Sequence, residues 1–259
     1  MYNQLIFLPL YNGLVGIMNV IPGIDVGVAV IIFTCIIRLI LFPLSKKALI
    51  TQVRMKSVEP EANRIRTEYA NNKQEQALKI MELYREKKIK PFTSVLLLII
   101  QLPILIALIS VFYKIIPDVQ PDLLYSFISV PEVSHTLLGL DITGKSFVLA
   151  IITAIIQYLQ LNFSVTARQQ KEISDKMKKS GAKMDTASQM ADSINTQMKF
   201  TLPIVAFVSV YWIIPASFPQ AASVIAIYWS VSSLFTLFQE IYIKKRHIGE
   251  IADSTIITK

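Results

Sequence analysis

One arginine lies inside a long apolar run. Arg38 falls within VGVAVIIFTCIIRLILFPL, residues 26–44, among Ile36, Ile37, Leu39 and Ile40. The run is long enough to cross a bilayer core of ~30 Å. A central arginine costs such a helix about 2.5–3.5 kcal/mol on insertion scales, so it is a functional candidate that usually faces a protein interior or a water-filled cavity. Thr34 lies one turn earlier on the same face, and Gly27 extends that face outward. A guanidinium in that position can hold an anionic group. The competing reading is snorkelling, because Arg38 is close to Pro43 and its stem can carry the charge to the headgroups. The small, polar and charged stripe favours a cavity.

Other apolar stretches repeat the pattern. Thr153, Gln157, Gln160 and Ser164 share one face of a helix. Trp229, Ser233, Thr236 and Glu240 share a face of another, with Tyr228, Ser232 and Gln239 on the adjacent one. Taken singly, such residues often do no more than link helices, at about 0.6 kcal/mol each. Taken together with an arginine that has no carboxylate partner in any span, they point to a hydrated, positive groove for a negatively charged guest. Reaction chemistry finds little footing. Walker A, HExxH and GxSxG motifs are missing, and no His/Cys cluster suggests a metal. No catalytic residue, metal or cofactor is expected. The single cysteine, Cys35, permits no disulfide within the chain.

The elements that must carry these residues read as an all-α membrane protein. Of the 259 residues 53% are hydrophobic and the mean hydropathy is positive. Five spans are expected, at about 26–44, 92–113, 146–163, 200–214 and 221–243. Residues 1–23 are apolar but interrupted by Pro9, Gly13, Gly16, Pro22 and Gly23. They are expected to lie in the interface as a short helix, with a sixth span as the alternative. No Lys or Arg precedes them, so a signal peptide is not expected. Residues 45–90 hold twelve Lys/Arg and six Asp/Glu, with apolar residues at helical spacing. They predict a charged helical hairpin that turns at Asn71-Asn72. The core is then 24–259, hairpin included.

The net charge of +8 suggests anionic lipid or nucleic acid, but its place between spans favours the lipid surface and rules against sequence-specific nucleic acid. Basic residues alternate between successive loops: twelve in 45–90, two in 114–145, seven in 164–199 and none in 215–220. By the positive-inside rule the N-terminus is outside and the C-terminus cytoplasmic.

The motif TCIIRLILFPLSKKALITQVRMKSVEPEANRIRTEY resembles the first core span and cytoplasmic hairpin of the YidC/Oxa/Alb family of membrane protein insertases. KPFTSVLLLIIQLPILIAL, GLDITGKS and IYWSVSSLFTLFQ resemble its later segments in the same order. The resemblance implies a five-helix transmembrane core with a cytoplasmic helical hairpin and an N-terminal interfacial helix. It also implies a groove open to cytoplasm and lipid. Arg38 matches the groove arginine and Thr34 a polar neighbour. Gln157 or Gln160, and Trp229, match lining positions, with Tyr228, Ser232 and Ser233 beside them. The hairpin, with Glu61, Arg64, Arg66, Tyr69 and Tyr84 as candidate contacts, matches the part that receives substrates. The large periplasmic domain and the lipoprotein cysteine of some members are not seen. The basic tail to Lys259 is short, which weakens ribosome docking through it, and Gly181–Asn195 is longer and more polar than the pattern.

The expected function is insertion. Nascent membrane proteins enter the groove from the cytoplasm and leave sideways into the bilayer of the cell membrane, without ATP. The Sec translocon and the ribosome are further partners to consider. The alternative is a small-solute or ion transporter with Arg38 as its anion site, but the chain has no visible internal repeat, and transporters usually do.

Overall fold

A computed structural model describes residues 2–116, 118–164 and 186–256, and most of them are helical. Part of the long polar loop expected at 181–195 therefore lies outside the described residues. The chain divides into two compact units. The first comprises Met1–Leu41, Ile99–Gln160 and Thr201–Thr236; the second comprises Phe42–Leu98, Leu161–Phe200 and Leu237–Lys259.

In the first unit, helix α1 (Leu8–Val20) follows a wider turn over Asn3–Phe7. Pro9 follows directly on that wider turn, at the start of the α-helical stretch. The glycines do not interrupt it. Gly13 faces the Phe33 ring, which an added Cβ would meet at 3.0 Å, so the glycine lets α2 (Val26–Ile40) come close. Tyr11, Leu14, Val15 and Met18 are buried on that side, among Val26, Val30 and Phe33 of the same apolar core. Polar groups of α1 tie down the following loop. Asn12 Nδ2 donates to the Leu123 carbonyl at 2.9 Å, and its Oδ1 accepts from Tyr125 N at 2.7 Å.

A short hairpin of β1 (Thr136–Leu137) and β2 (Leu140–Asp141) braces the start of α2. Asp25 accepts from the Thr136 hydroxyl at 2.7 Å and from Leu138 N at 3.0 Å. The Thr136 hydroxyl is the main reason that its carboxyl is held below the usual range. Gly27 is where the hairpin touches the helix: an added Cβ would stand 2.6 Å from Leu137 Cβ and 3.1 Å from the Thr136 carbonyl. Replacing Gly27 with alanine should cost about 1–3 kcal/mol, the usual range for overpacking. Thermal unfolding in detergent reads this directly; an unchanged midpoint would mean that the hairpin yields freely.

The apolar run expected to reach Leu44 as one helix stops earlier. α2 ends at Ile40, Leu41 is its C-cap, and α3 (Phe42–Ser57) begins anew. Pro43 accounts for the break, because its ring cannot continue the preceding turns. In the second unit, α4 (Glu59–Glu68) starts with Pro60 in its first turn, and α5 (Lys73–Glu86) is capped by Asn72, whose Oδ1 accepts from Glu75 N at 3.2 Å. Val53, Val58, Ala62, Leu83 and Ile89 are buried in this unit, and Lys87 pairs with Glu61 at 3.3 Å. Gln239 Nε2 donates to Ser45 Oγ at 2.5 Å.

The remaining helices are α6 (Phe92–Ile115), α7 (Phe147–Phe163), α8 (Thr186–Val208), a π-helical turn at Ser209–Ile213, α9 (Ile214–Ser217) and α10 (Ala222–Ile256). By length and composition, Gln197–Ser217 and Ala222–Ile243 can each cross a membrane. α2 with α3 makes a third span if that bent pair counts as one. Ile99–Ile115 and Phe147–Phe163 are apolar and shorter. Phe147, Phe207, Tyr211 and Trp212 stack edge-on or face-on with ring centroids 5.0–6.0 Å apart. Lys145 Nζ stands 4.9 Å from the Tyr211 ring centroid. Aromatic rings beside a lysine suit a membrane–water boundary.

Candidate functional site

Four helices put polar side chains of the first unit into one cavity of about 400 Å³. Arg38 comes from α2, Gln157 and Gln160 from α7, and Tyr228, Trp229, Ser232, Ser233 and Thr236 from α10. α6 adds Gln101, with apolar walls from Leu105 and Ile109.

The α2 sequence explains why Arg38 points here. Its neighbours Ile36, Leu39 and Ile40 are 42%, 60% and 70% exposed, an apolar face suited to lipid. Ile37 and Phe33 are buried, and Arg38 is half-buried at the edge between the two faces. Among the described residues no carboxylate lies within ion-pairing distance of its guanidinium, so its charge is available to a guest.

Hydrogen bonds fix much of the wall. Gln157 Oε1 accepts from Trp229 Nε1 at 3.1 Å and from Ser233 Oγ at 3.2 Å. That pair of bonds aligns α7 with α10 and orients the indole. One turn away, Thr153 Oγ1 lies 2.9 Å from Ser230 Oγ and donates to the Leu149 carbonyl at 2.7 Å. This contact is buried and structural. Across the cavity Gln101 Nε2 donates to Tyr228 Oη at 3.2 Å. Thr236 Oγ1 donates to the Ser232 carbonyl at 2.9 Å. Ser232 Oγ is buried without a protein partner, so it is free to bind water or a guest.

Of the groove residues read from the sequence, seven line this cavity: Arg38, Gln157, Gln160, Tyr228, Trp229, Ser232 and Ser233. Both glutamines are present, and Gln157 is the one that accepts from Trp229 and Ser233. Thr34 is elsewhere. It is buried in its own helix, and its hydroxyl donates to the Val30 carbonyl at 2.6 Å. An isolated threonine in an apolar helix closes on the carbonyl four residues back because nothing else polar is in reach. Gln101 and Thr236 line the cavity too; the sequence reading placed Thr236 on the polar face but named neither as a groove residue. Gln101 had a signal, as the one amide in an apolar helix, and Thr236 shares the face of Trp229 and Ser233.

The hairpin candidates sit in the second unit. Glu61 holds Lys87, Arg66 donates to the Asn63 side chain, and the Tyr69 carbonyl accepts from Asn72 N at 3.1 Å. Arg64 is exposed on α4, and Tyr84 lines a separate cavity beside α5.

Apolar helices around a cationic, polar-lined cavity define a helical membrane protein. Residues 17–250 match the family described as 60Kd inner membrane protein, and the chain belongs to that family. The likeness to YidC/Oxa/Alb proteins drawn from the Arg38 motif therefore holds. A protein of Clostridium tetani called membrane protein insertase YidC is 31% identical over 86% of this chain and 84% of its own. One of the same description from Fusobacterium nucleatum is 29% identical over 85% of this chain and 86% of its own. A third, from Francisella tularensis subsp. novicida, is 26% identical over 85% of this chain, which spans 32% of that longer relative.

Proposed function

We propose that this protein is a membrane protein insertase whose working site is the Arg38 cavity. The observation that carries this reading is an arginine with no carboxylate partner among the described residues, set in an apolar helix and lining a cavity with Gln101, Gln157 and Ser232. The relatives' shared description as insertases supports it. A hydrophilic segment of a nascent membrane protein enters the cavity. Polar walls replace part of its hydration, and the adjoining apolar segment passes into lipid, whose burial of that segment drives release. No step needs a nucleotide or a covalent intermediate.

The proposed arrangement is five core spans, an interfacial α1, and a cytoplasmic hairpin of α4 and α5 that receives the client. The N-terminus is outside and the C-terminus inside. The ribosome and the Sec translocon are proposed as partners that deliver clients. Reconstitution into liposomes with a single-span client tests the function. Protease-protected client tails, dependent on the protein and independent of ATP, are the expected result. Uptake of a small anion without client insertion would favour the transporter reading.

Orientation has its own test. Pro121 and Asn71 are both exposed. In a Cys35→Ser background, Pro121→Cys should react with an impermeant thiol reagent in intact cells and Asn71→Cys should not. Labelling of the second variant would reverse the topology.

A further inference from the structure

A second cavity, of about 800 Å³, lies in the second unit where α5 turns into α6. Its apolar walls are Leu78, Met81, Ile89, Pro91, Phe92 and Leu96. Leu78 and Phe92 are 65% and 69% exposed. Arg85 and Lys90 also line it and are exposed. The remaining charge in the wall is Glu82, and Lys79 holds it at 3.0 Å.

The turn beneath this cavity is tightly made. Lys88 has φ 52°, a left-handed conformation that a lysine seldom adopts, and the turn is closed by Ile89 N donating to the Tyr84 carbonyl at 2.8 Å. Ile89 is thereby buried, while Lys90 stays exposed beside the first residues of α6. Lys87 is already committed to Glu61. Arg85 and Lys90 have no ion partner among the described residues.

We propose that this cavity binds an anionic phospholipid of the leaflet that α6 enters. Arg85 and Lys90 take the phosphate, and Leu78, Met81, Phe92 and Leu96 flank the acyl chain. Charge complementarity selects this occupant. Basic residues next to an apolar membrane helix attract anionic headgroups, and here two of them share a cavity with exposed apolar side chains. Its volume is that of a ligand pocket, roughly 300–1,000 Å³. The site rests on α6 being a membrane helix and is independent of what the Arg38 cavity does. Bound lipid would moor the base of α5 to the bilayer surface.

Native mass spectrometry of the full-length protein, released from nanodiscs containing phosphatidylcholine and phosphatidylglycerol, tests this. The wild type should retain phosphatidylglycerol over phosphatidylcholine. Arg85→Gln with Lys90→Gln should weaken that retention by about 30-fold, given the usual contribution of a basic residue at an anionic surface. Lys46→Gln with Lys47→Gln removes the same charge from α3 and should leave retention unchanged. Equal loss in both pairs would replace the site with a diffuse surface potential and overturn the proposal. Undiminished retention in the first pair would also overturn it. So would a photoreactive residue at Leu78 that captures client segments in place of lipid. Insertion assayed in parallel keeps the two readings apart, because lipid retention can fail while insertion survives.

Discussion

Replacing Arg38 with alanine should lower insertion of a client with an acidic translocated tail by tenfold or more, while a neutral-tailed client falls far less. The guanidinium is half-buried, lines a cavity and is unpaired by any described carboxylate. A charge pair ~4 Å apart at an effective dielectric near 20 is worth about 4 kcal/mol. A fraction of that, about 1.4 kcal/mol, already makes a factor of ten. Arg38→Lys keeps the charge and should stay within about threefold of wild type. A snorkelling arginine predicts otherwise: alanine would treat both clients alike. An arginine that only locks helices predicts a third pattern, in which lysine fails with alanine and both variants unfold early. Measuring insertion of two clients that differ only in tail charge, beside thermal stability in detergent, separates the three. A stable alanine variant equally active on both clients would remove Arg38 from the mechanism.

The second large effect is expected from the hairpin. Deleting Glu61 to Tyr84 behind a short Gly/Ser bridge should leave a membrane-inserted protein with insertion reduced tenfold or more. The deletion removes most of α4 and α5, and with them Ala62, Leu83 and the Glu61 partner of Lys87. The described core of the first unit, from Phe7 to Tyr228, contains none of the deleted residues. Membrane extraction and thermal unfolding should therefore change little. If the shortened protein is degraded in cells, the hairpin is structural and its role as receiver is lost. If it inserts clients at the wild-type rate, the receiver is elsewhere.

Periodicity and residue type made much of the cavity legible in advance. A charge in an apolar run must be compensated, and a 3.6-residue repeat says which side chains share a face. That reasoning reached Arg38 on one helix, Gln157 and Gln160 on another, and Tyr228, Trp229, Ser232 and Ser233 on a third. The family was reached separately, through the resemblance of the Arg38 motif. A repeat along one helix says nothing about which neighbouring helix its polar face meets. Gln101 became part of the wall because α6 brings it within 3.2 Å of Tyr228. Thr34 dropped out because its hydroxyl closes on the Val30 carbonyl, a bond available within its own helix. Gln157 became the acceptor for Trp229 and Ser233 because α7 and α10 meet at that level. The break of the first apolar run at Leu41 was written in Pro43, a local constraint. Which polar groups converge was decided by helix packing, where side chains far apart in the chain compete for the same partner.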